Sequence, residues 1–185
     1  MTAPAPHRPR FWSLLAPPAG GLFPLGLLGL LWTLALAQFR RLPNALPSHF
    51  DIRGEPLAWV PKYPAYFTLP ILGSVSFLII GVFQTLALRH PVVDGCLLEG
   101  RAAEQVRRLI RRYLFFVRSA LMAWLLHLEF RLTQLAYGHV DSLGLDSYLT
   151  AGLLLAYTVA GAWLLLRVAR RWLAWQRADE AASLR

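Results

Sequence analysis

Long apolar stretches alternate along the chain with short polar ones, and the apolar stretches are too long and too uniform for a soluble core. Phe11 to Phe39, Tyr63 to Leu88 and Ser147 to Leu166 contain no Asp, Glu, Lys or Arg. About 20 mostly apolar residues in a helix cross a hydrocarbon layer about 30 Å thick. Each stretch is therefore expected to supply a membrane-spanning helix. The first span is placed at Leu22 to Phe39, after Pro17, Pro18, Gly20 and Gly21 break the preceding apolar run. The second is expected over Pro64 to Leu88, with Pro70 either kinking it or preceding its regular part. The last is expected over Ser147 to Leu166, between Asp146 and Arg167.

Between these lies a less evident span. Val106, Leu109, Ile110, Tyr113, Leu114 and Val117 recur at helical spacing, while Arg107, Arg108, Arg111 and Arg112 fill the other face. This pattern predicts one long helix from Ala102 to Tyr137, its basic first part lying at the membrane surface and its second part crossing. A peripheral helix would leave Leu121 to Leu126 unexplained, so the fold class expected is all-α, with four transmembrane helices. Arg118, His127, Glu129 and Arg131 then fall inside the third span. Arg118 is expected to snorkel back to the nearer headgroups. His127 and Arg131, four apart, share a helical face and Glu129 points away from them. Charged groups at such depth face protein or water and pair, which leads us to expect Glu129 or His127 against the loop between spans one and two.

The net charge of +9 acquires meaning from this layout. Thirteen of the 19 basic residues lie in the N-terminal tail (Arg8, Arg10), the segment between spans two and three (Arg89, Arg101, Arg107, Arg108, Arg111, Arg112) and the C-terminal tail (Arg167, Arg170, Arg171, Arg177, Arg185). The loop between spans one and two has Arg40, Arg41, Arg53 and Lys62, and the last loop has none. The positive-inside rule places both termini in the cytoplasm and the 40–63 loop outside. Basic residues so arranged report topology, and no nucleic-acid partner is expected. The divisions expected are a cytoplasmic tail at 1–21, a two-helix unit at 22–88, a basic segment with spans three and four at 89–166, and a basic cytoplasmic tail at 167–185. Arg8, Arg10, the apolar run and Ala35-Leu36-Ala37 imitate a signal peptide, but the uncharged stretch is long for one and is read as a retained span.

A hydrophobic fraction of 56% with mean hydropathy +0.44 excludes a single soluble enzyme domain when distributed this way. Cys96 is the only cysteine, so no internal disulfide braces the fold. Lys62 is the only lysine.

One loop concentrates the remaining information. From Leu42 to Lys62 it holds Pro43, Pro47 and Pro56, which restrict φ, and Gly54, a turn residue between Arg53 and Glu55. An ordered, proline-braced loop follows, carrying His49, Asp51, Arg53, Glu55, Trp59 and Lys62 at one membrane face. The order Leu46-Pro47-x-His49-Phe50-Asp51-x-x-Gly54-Glu55-Pro56, then Trp59 and Lys62 directly before an apolar helix, resembles the small membrane domain at the N terminus of SdpI-type bacterial immunity proteins. Leu57, Ala58 and Pro61 depart from the common form of that domain. The resemblance covers Leu22 to about Leu88 and implies a bacterial inner-membrane protein. In the namesake it implies protection from a secreted peptide toxin and a signalling role. Lys62 stands where that family has its lysine.

Three chemistries stay open. The motif residues Pro47, His49, Phe50, Asp51, Gly54, Glu55, Pro56, Trp59 and Lys62 could bind a peptide toxin, another membrane protein or a lipid. They could instead form a structural clip in a subunit or scaffold of a larger complex. His49, Asp51 and Glu55 are metal-capable and, with His139, Asp141 or Asp146, could hold Zn²⁺ in a membrane enzyme, but their spacing fits no known ligand geometry. The blander reading is that Asp51 caps a turn and Glu55 pairs with Arg53 or Lys62. With no phosphate-binding glycine loop and no nucleophile beside a base, no enzyme activity and no cofactor is expected. Gly152, Ala156 and Ala160 form a small-residue stripe suited to close helix packing, within the chain or in a homo-oligomer. Arg167, Arg170 and Arg171 with Trp163, Trp172 and Trp175 read as an anchor on anionic lipid.

Overall fold

A computed structural model describes residues 21–89, 92–93, 96–98 and 100–183. The expected cytoplasmic tail with Arg8 and Arg10 lies outside the described residues. Four long helices form the body: α1 Leu22–Phe39, α2 Thr68–Arg89, α3 Gly100–Ala136 and α4 Leu145–Ser183. Each contains a window apolar and long enough to cross a membrane. Leu25 and Leu30 on α1, Leu78 and Phe83 on α2, and Leu153 and Leu155 on α4 are exposed. Apolar surface on this scale marks contact with a nonaqueous environment, and the protein is a multi-pass membrane protein.

The third helix holds the bundle together. It packs against α1, α2 and α4. At mid-bundle Leu31, Met122 and Leu125 are fully buried, with Leu28, Leu69 and Phe77 packed around them. Arg118 does not snorkel: its guanidinium donates to the Phe77 carbonyl and stacks 3.4 Å from the centre of the Phe77 ring. Gly81 makes room for it, since a Cβ there would lie 2.8 Å from Arg118 Nη2. Pro70 falls in the first turn of α2, where a backbone N–H has no intrahelical partner to lose. The regular helix therefore includes this proline, and Ser74 Oγ donates to its carbonyl while accepting from Trp32 Nε1 at 2.9 Å.

Two boundaries differ from expectation. α4 continues as helix well past Arg167, and the basic first part of α3 packs on that continuation instead of lying along the membrane surface. Val106 and Ala103 of α3 meet Ala169 and Leu173 of α4 in a buried cluster that also takes Leu98. A helix that runs unbroken from Gly100 to Ala136 cannot lie flat and then cross. Val106 and Ile110 of the apolar stripe that suggested a membrane surface are covered by protein, while Leu109 stays exposed. The small-residue stripe takes no helix of this chain, because Gly152 meets nothing within 4 Å and Ala156 and Ala160 are exposed. Gly161 is the residue that receives a neighbour: Tyr113 lies against it and donates to the Thr158 carbonyl.

The loop between α1 and α2 is a β-hairpin. β1 (Ala45–Phe50) pairs antiparallel with β2 (Pro56–Pro61), Leu46 opposite Val60 and Pro47 opposite Trp59. A helical turn at Lys62–Ala65 then leads into α2. Strands were not expected there, because prolines mask the alternation of strand residues; a two-stranded hairpin has only edge strands, where proline is tolerated. A second short pair, β3 (Val92–Val93) with β4 (Cys96–Leu97), links α2 to α3.

Close packing at mid-bundle can be tested at Gly73, whose added Cβ would lie 3.1 Å from Leu31 Cδ2 and 3.4 Å from Leu125 Cδ1, whereas Gly26 faces open space. Gly73→Leu is expected to cost about 1–3 kcal/mol by overpacking. In thermal unfolding of detergent-solubilised protein, Gly73→Leu should lower the midpoint by several degrees and Gly26→Leu should leave it unchanged.

Candidate functional site at the hairpin end

The hairpin owes its tight end to Asp51. Its Oδ1 accepts from the Arg53 and Glu55 amides, both at 2.8 Å, while the Asp51 amide donates to the Glu55 carbonyl. A carboxylate serving two amides in this way closes an Asx turn. Glu55 forms no ion pair with Arg53 or Lys62 among the described residues, so the turn-capping expectation for Asp51 holds and the pairing of Glu55 does not. Gly54 adopts φ +82 and is buried, and a Cβ there would lie 3.1 Å from the Leu143 amide. Only glycine combines that backbone conformation with so close an approach.

Through this glycine the turn is fastened to the α3–α4 connection. The Leu143 amide donates to the Gly54 carbonyl at 2.9 Å, and the Tyr148 hydroxyl donates to the Asp51 carbonyl at 2.9 Å. At the base of the hairpin, the Lys62 amide donates to the Asn44 carbonyl and Lys62 Nζ to the Leu42 carbonyl at 2.9 Å. The same ammonium lies 5.0 Å from the Phe39 ring centre. Lys62 therefore ties the end of α1 to the start of α2, which needs a compact donor on a flexible stem. Leu42, Leu46, Ala35 and Tyr66 form a buried cluster with Phe39, Phe67, Ala136 and Tyr137 packed on it. The hairpin, α1, α3 and the segment leading into α2 meet there.

The intramembrane polar residues divide as their spacing predicts. His127 Nε2 lies 3.1 Å from Asp146 Oδ2, and Arg131 Nη2 lies 3.6 Å from Asp146 Oδ1. Arg131 Nε also donates to the Leu143 carbonyl at 3.0 Å. Asp146 thus joins two turns of α3 to the first turn of α4, and Gly144 leaves space for Arg131 and Asp146 to meet. Glu129 lies on the other side of α3 and is 1% exposed. Thr133 Oγ1 donates to the Glu129 carbonyl and lies 3.1 Å from the Tyr66 hydroxyl, while Glu129 Oε1 is buried with no hydrogen-bond partner among the described residues. The expected contact of Glu129 or His127 with the 40–63 loop is replaced by two less direct links. Arg131 holds Leu143, which holds Gly54; Glu129 lies under Tyr66, just beyond the loop.

His49, Asp51 and Glu55 are not brought together as ligands. His49 is exposed at φ +51, its Nδ1 is 3.2 Å from Ser48 Oγ, and Asp51 Oδ1 is already taken by amides. Among the described residues no group of three or more His, Cys, Asp and Glu stands close enough to hold a metal ion, His139, Asp141 and Asp146 included. Pro47, directly across from Trp59, is buried and Phe50 and Pro56 are half-buried, while the alternation along β2 leaves Leu57 and Trp59 open. Ile52 is 92%, Leu57 70%, Trp59 58% and Tyr63 72% exposed. The residues that sequence reasoning missed are Tyr66, Leu143 and Tyr148. Tyr66 and Tyr148 carried a visible signal as tyrosines beside span ends; Leu143, which acts through its backbone, carried none.

Residues 26–73 match the family described as Domain of unknown function (DUF1648). That segment comprises most of α1, the whole hairpin and the start of α2, and it includes the motif residues from Leu46 to Lys62 that carry the resemblance noted in the sequence. No curated protein and no solved structure matches the chain.

If Asp51 and Gly54 close the turn, their loss should open it to protease. Asp51→Ala removes both amide bonds and should cost about 1–2 kcal/mol, whereas Asp51→Asn keeps an acceptor and should cost less. Gly54→Ala should be at least as damaging as Asp51→Ala. Trypsin cleavage after Arg53 in the solubilised protein should accelerate in the order wild type, Asp51→Asn, Asp51→Ala.

Proposed function

We propose that this is a non-enzymatic protein of the bacterial cytoplasmic membrane that binds a peptide or protein at its outer face through the free side of the hairpin, in toxin immunity or envelope sensing. The observation that carries the reading is the unlike character of the hairpin's two sides. One side is packed and hydrogen-bonded to the ends of three helices. The other presents Leu57 and Trp59, with Ile52 exposed at the turn, from a hairpin whose backbone is already ordered. Apolar side chains held on a rigid element lose little conformational entropy on binding, and aromatic residues dominate such contacts. The distribution of basic residues supports the orientation, with both termini inside and the hairpin outside.

A second reading is favoured by the packed side. Because the hairpin fastens helix ends, it also suits a structural clip in a membrane subunit or scaffold, its free surface meeting another subunit. The two readings share a surface and differ in what covers it.

The test compares cells carrying wild-type protein, a deletion, and a Leu57→Asp/Trp59→Ala variant shown to reach the membrane at wild-type abundance. Each is challenged with membrane-active peptides and with detergent stress. The deletion and the surface variant should both be more sensitive than wild type. Equal survival of all three strains would reject the immunity and sensing reading.

A further inference from the structure

At the end of the bundle away from the hairpin, α3 and α4 continue together beyond their apolar portions. With a rise of about 1.5 Å per residue, 37 residues of α3 extend about 55 Å, well over a hydrocarbon core of about 30 Å. In this region the two helices enclose a cleft of about 720 Å³, lined by Glu104, Gln105 and Arg108 of α3 and by Val168, Arg171, Trp172 and Trp175 of α4.

The position of the cleft can be read along α4. Its apolar run ends at Arg167, whose guanidinium lies 3.7 Å from the Trp163 ring centre. Tryptophan and arginine in such a pair mark the edge of the hydrocarbon. Arg171, Trp172 and Trp175 follow one to two turns later, about 6 to 12 Å further along the axis. The polar headgroup layer is about 5 to 8 Å thick on each side, so the mouth of the cleft sits where lipid phosphates lie.

Its chemistry suits such a group. Arg108 and Arg171 bring two guanidinium groups to one cavity, each with planar donors that match phosphate oxygens. The one acid in the lining, Glu104, pairs with Arg108 at 3.3 Å, leaving the cleft with a net positive charge. Trp172 and Trp175 form a wall, their rings nearly perpendicular with centres 5.8 Å apart, and Trp172 leans on the buried cluster beneath. Val168 continues the wall towards the exposed, membrane-facing Leu164. A free phosphate would use only the two arginines. A phospholipid would use the arginines with its phosphate, the indole wall with the rest of its headgroup, and Val168 and Leu164 with its glycerol and first methylenes.

We propose that this cleft is a discrete site for the headgroup of an anionic phospholipid, held by Arg108 and Arg171 and walled by Trp172 and Trp175. It is independent of the hairpin's ligand. Basic pockets between spans on the cytoplasmic side are suited to anionic headgroups, and occupancy here would brace α3 against α4 at the end opposite the β1–β2 hairpin.

The test measures lipids retained by the intact protein purified from nanodiscs of phosphatidylcholine with phosphatidylglycerol, counted by native mass spectrometry. Wild type should retain phosphatidylglycerol in preference to phosphatidylcholine. Arg108→Ala/Arg171→Ala should lose that preference by about tenfold or more, at about fivefold per basic residue. Arg111→Ala/Arg112→Ala, which removes equal charge from the same end outside the cleft, should keep it. Excess inorganic phosphate should not displace the lipid. Equal loss in both double variants would reduce the site to diffuse surface attraction, and displacement by phosphate would make it a free-anion site; either overturns the proposal. In wild-type protein, brominated phosphatidylglycerol should quench tryptophan emission more than brominated phosphatidylcholine, and Trp172→Phe/Trp175→Phe should narrow the gap. No difference between the two lipids in wild type would also overturn it.

Discussion

Charge carried into hydrocarbon has to be met by protein, and that constraint organises this molecule. One helix, α3, bears Arg118, His127, Glu129 and Arg131 within or beside the span. Arg118 is answered by the Phe77 carbonyl and ring of α2 and His127 and Arg131 jointly by Asp146 of α4, whereas Glu129 is buried on the other side of α3 with Oε1 lacking a hydrogen-bond partner among the described residues. The helix that lipid would tolerate least therefore becomes the one about which the others assemble. The hairpin follows from the same constraint, since Arg131 fixes the Leu143 carbonyl while the Leu143 amide fixes Gly54.

At the hairpin end, backbone groups leaving four helices need partners where water and headgroups compete for them. A tight turn with an internal carboxylate supplies many of these partners locally, and the lysine at its base supplies one more. The result is a cap whose backbone is hydrogen-bonded at its tip and base, seated on a buried apolar cluster, with Leu57 and Trp59 left exposed. Such a cap can hold the span ends in register whether or not a ligand covers it, which is why clip and binder are compatible on one surface.

Much of this was legible in residue order. Apolar runs gave three spans directly, and the amphipathic repeat from Val106 gave the fourth, because helical periodicity survives even where arginines lower the hydropathy. The four-residue interval of His127 and Arg131 foretold their common face. The hairpin was not legible, since Pro47, Pro56 and Pro61 hide strand periodicity, and neither were its main anchors, since Gly54 and Leu143 act through backbone atoms. The destination of the apolar stripe at the start of α3 was also hidden. A stripe facing a membrane surface and a stripe facing a neighbouring helix have one sequence pattern, and only the continuation of α4 past Arg167 decides between them.

The central claim is that the hairpin is fastened into the bundle and shares its stability. Amide hydrogen exchange in lipid nanodiscs tests this most directly, read at peptides covering 45–62 and 140–148. Slow exchange across both segments, lost together when Arg131→Ala frees Leu143, is the result the account predicts. Exchange of the 45–62 amides as rapid as an unstructured loop, beside protected helices, would contradict it.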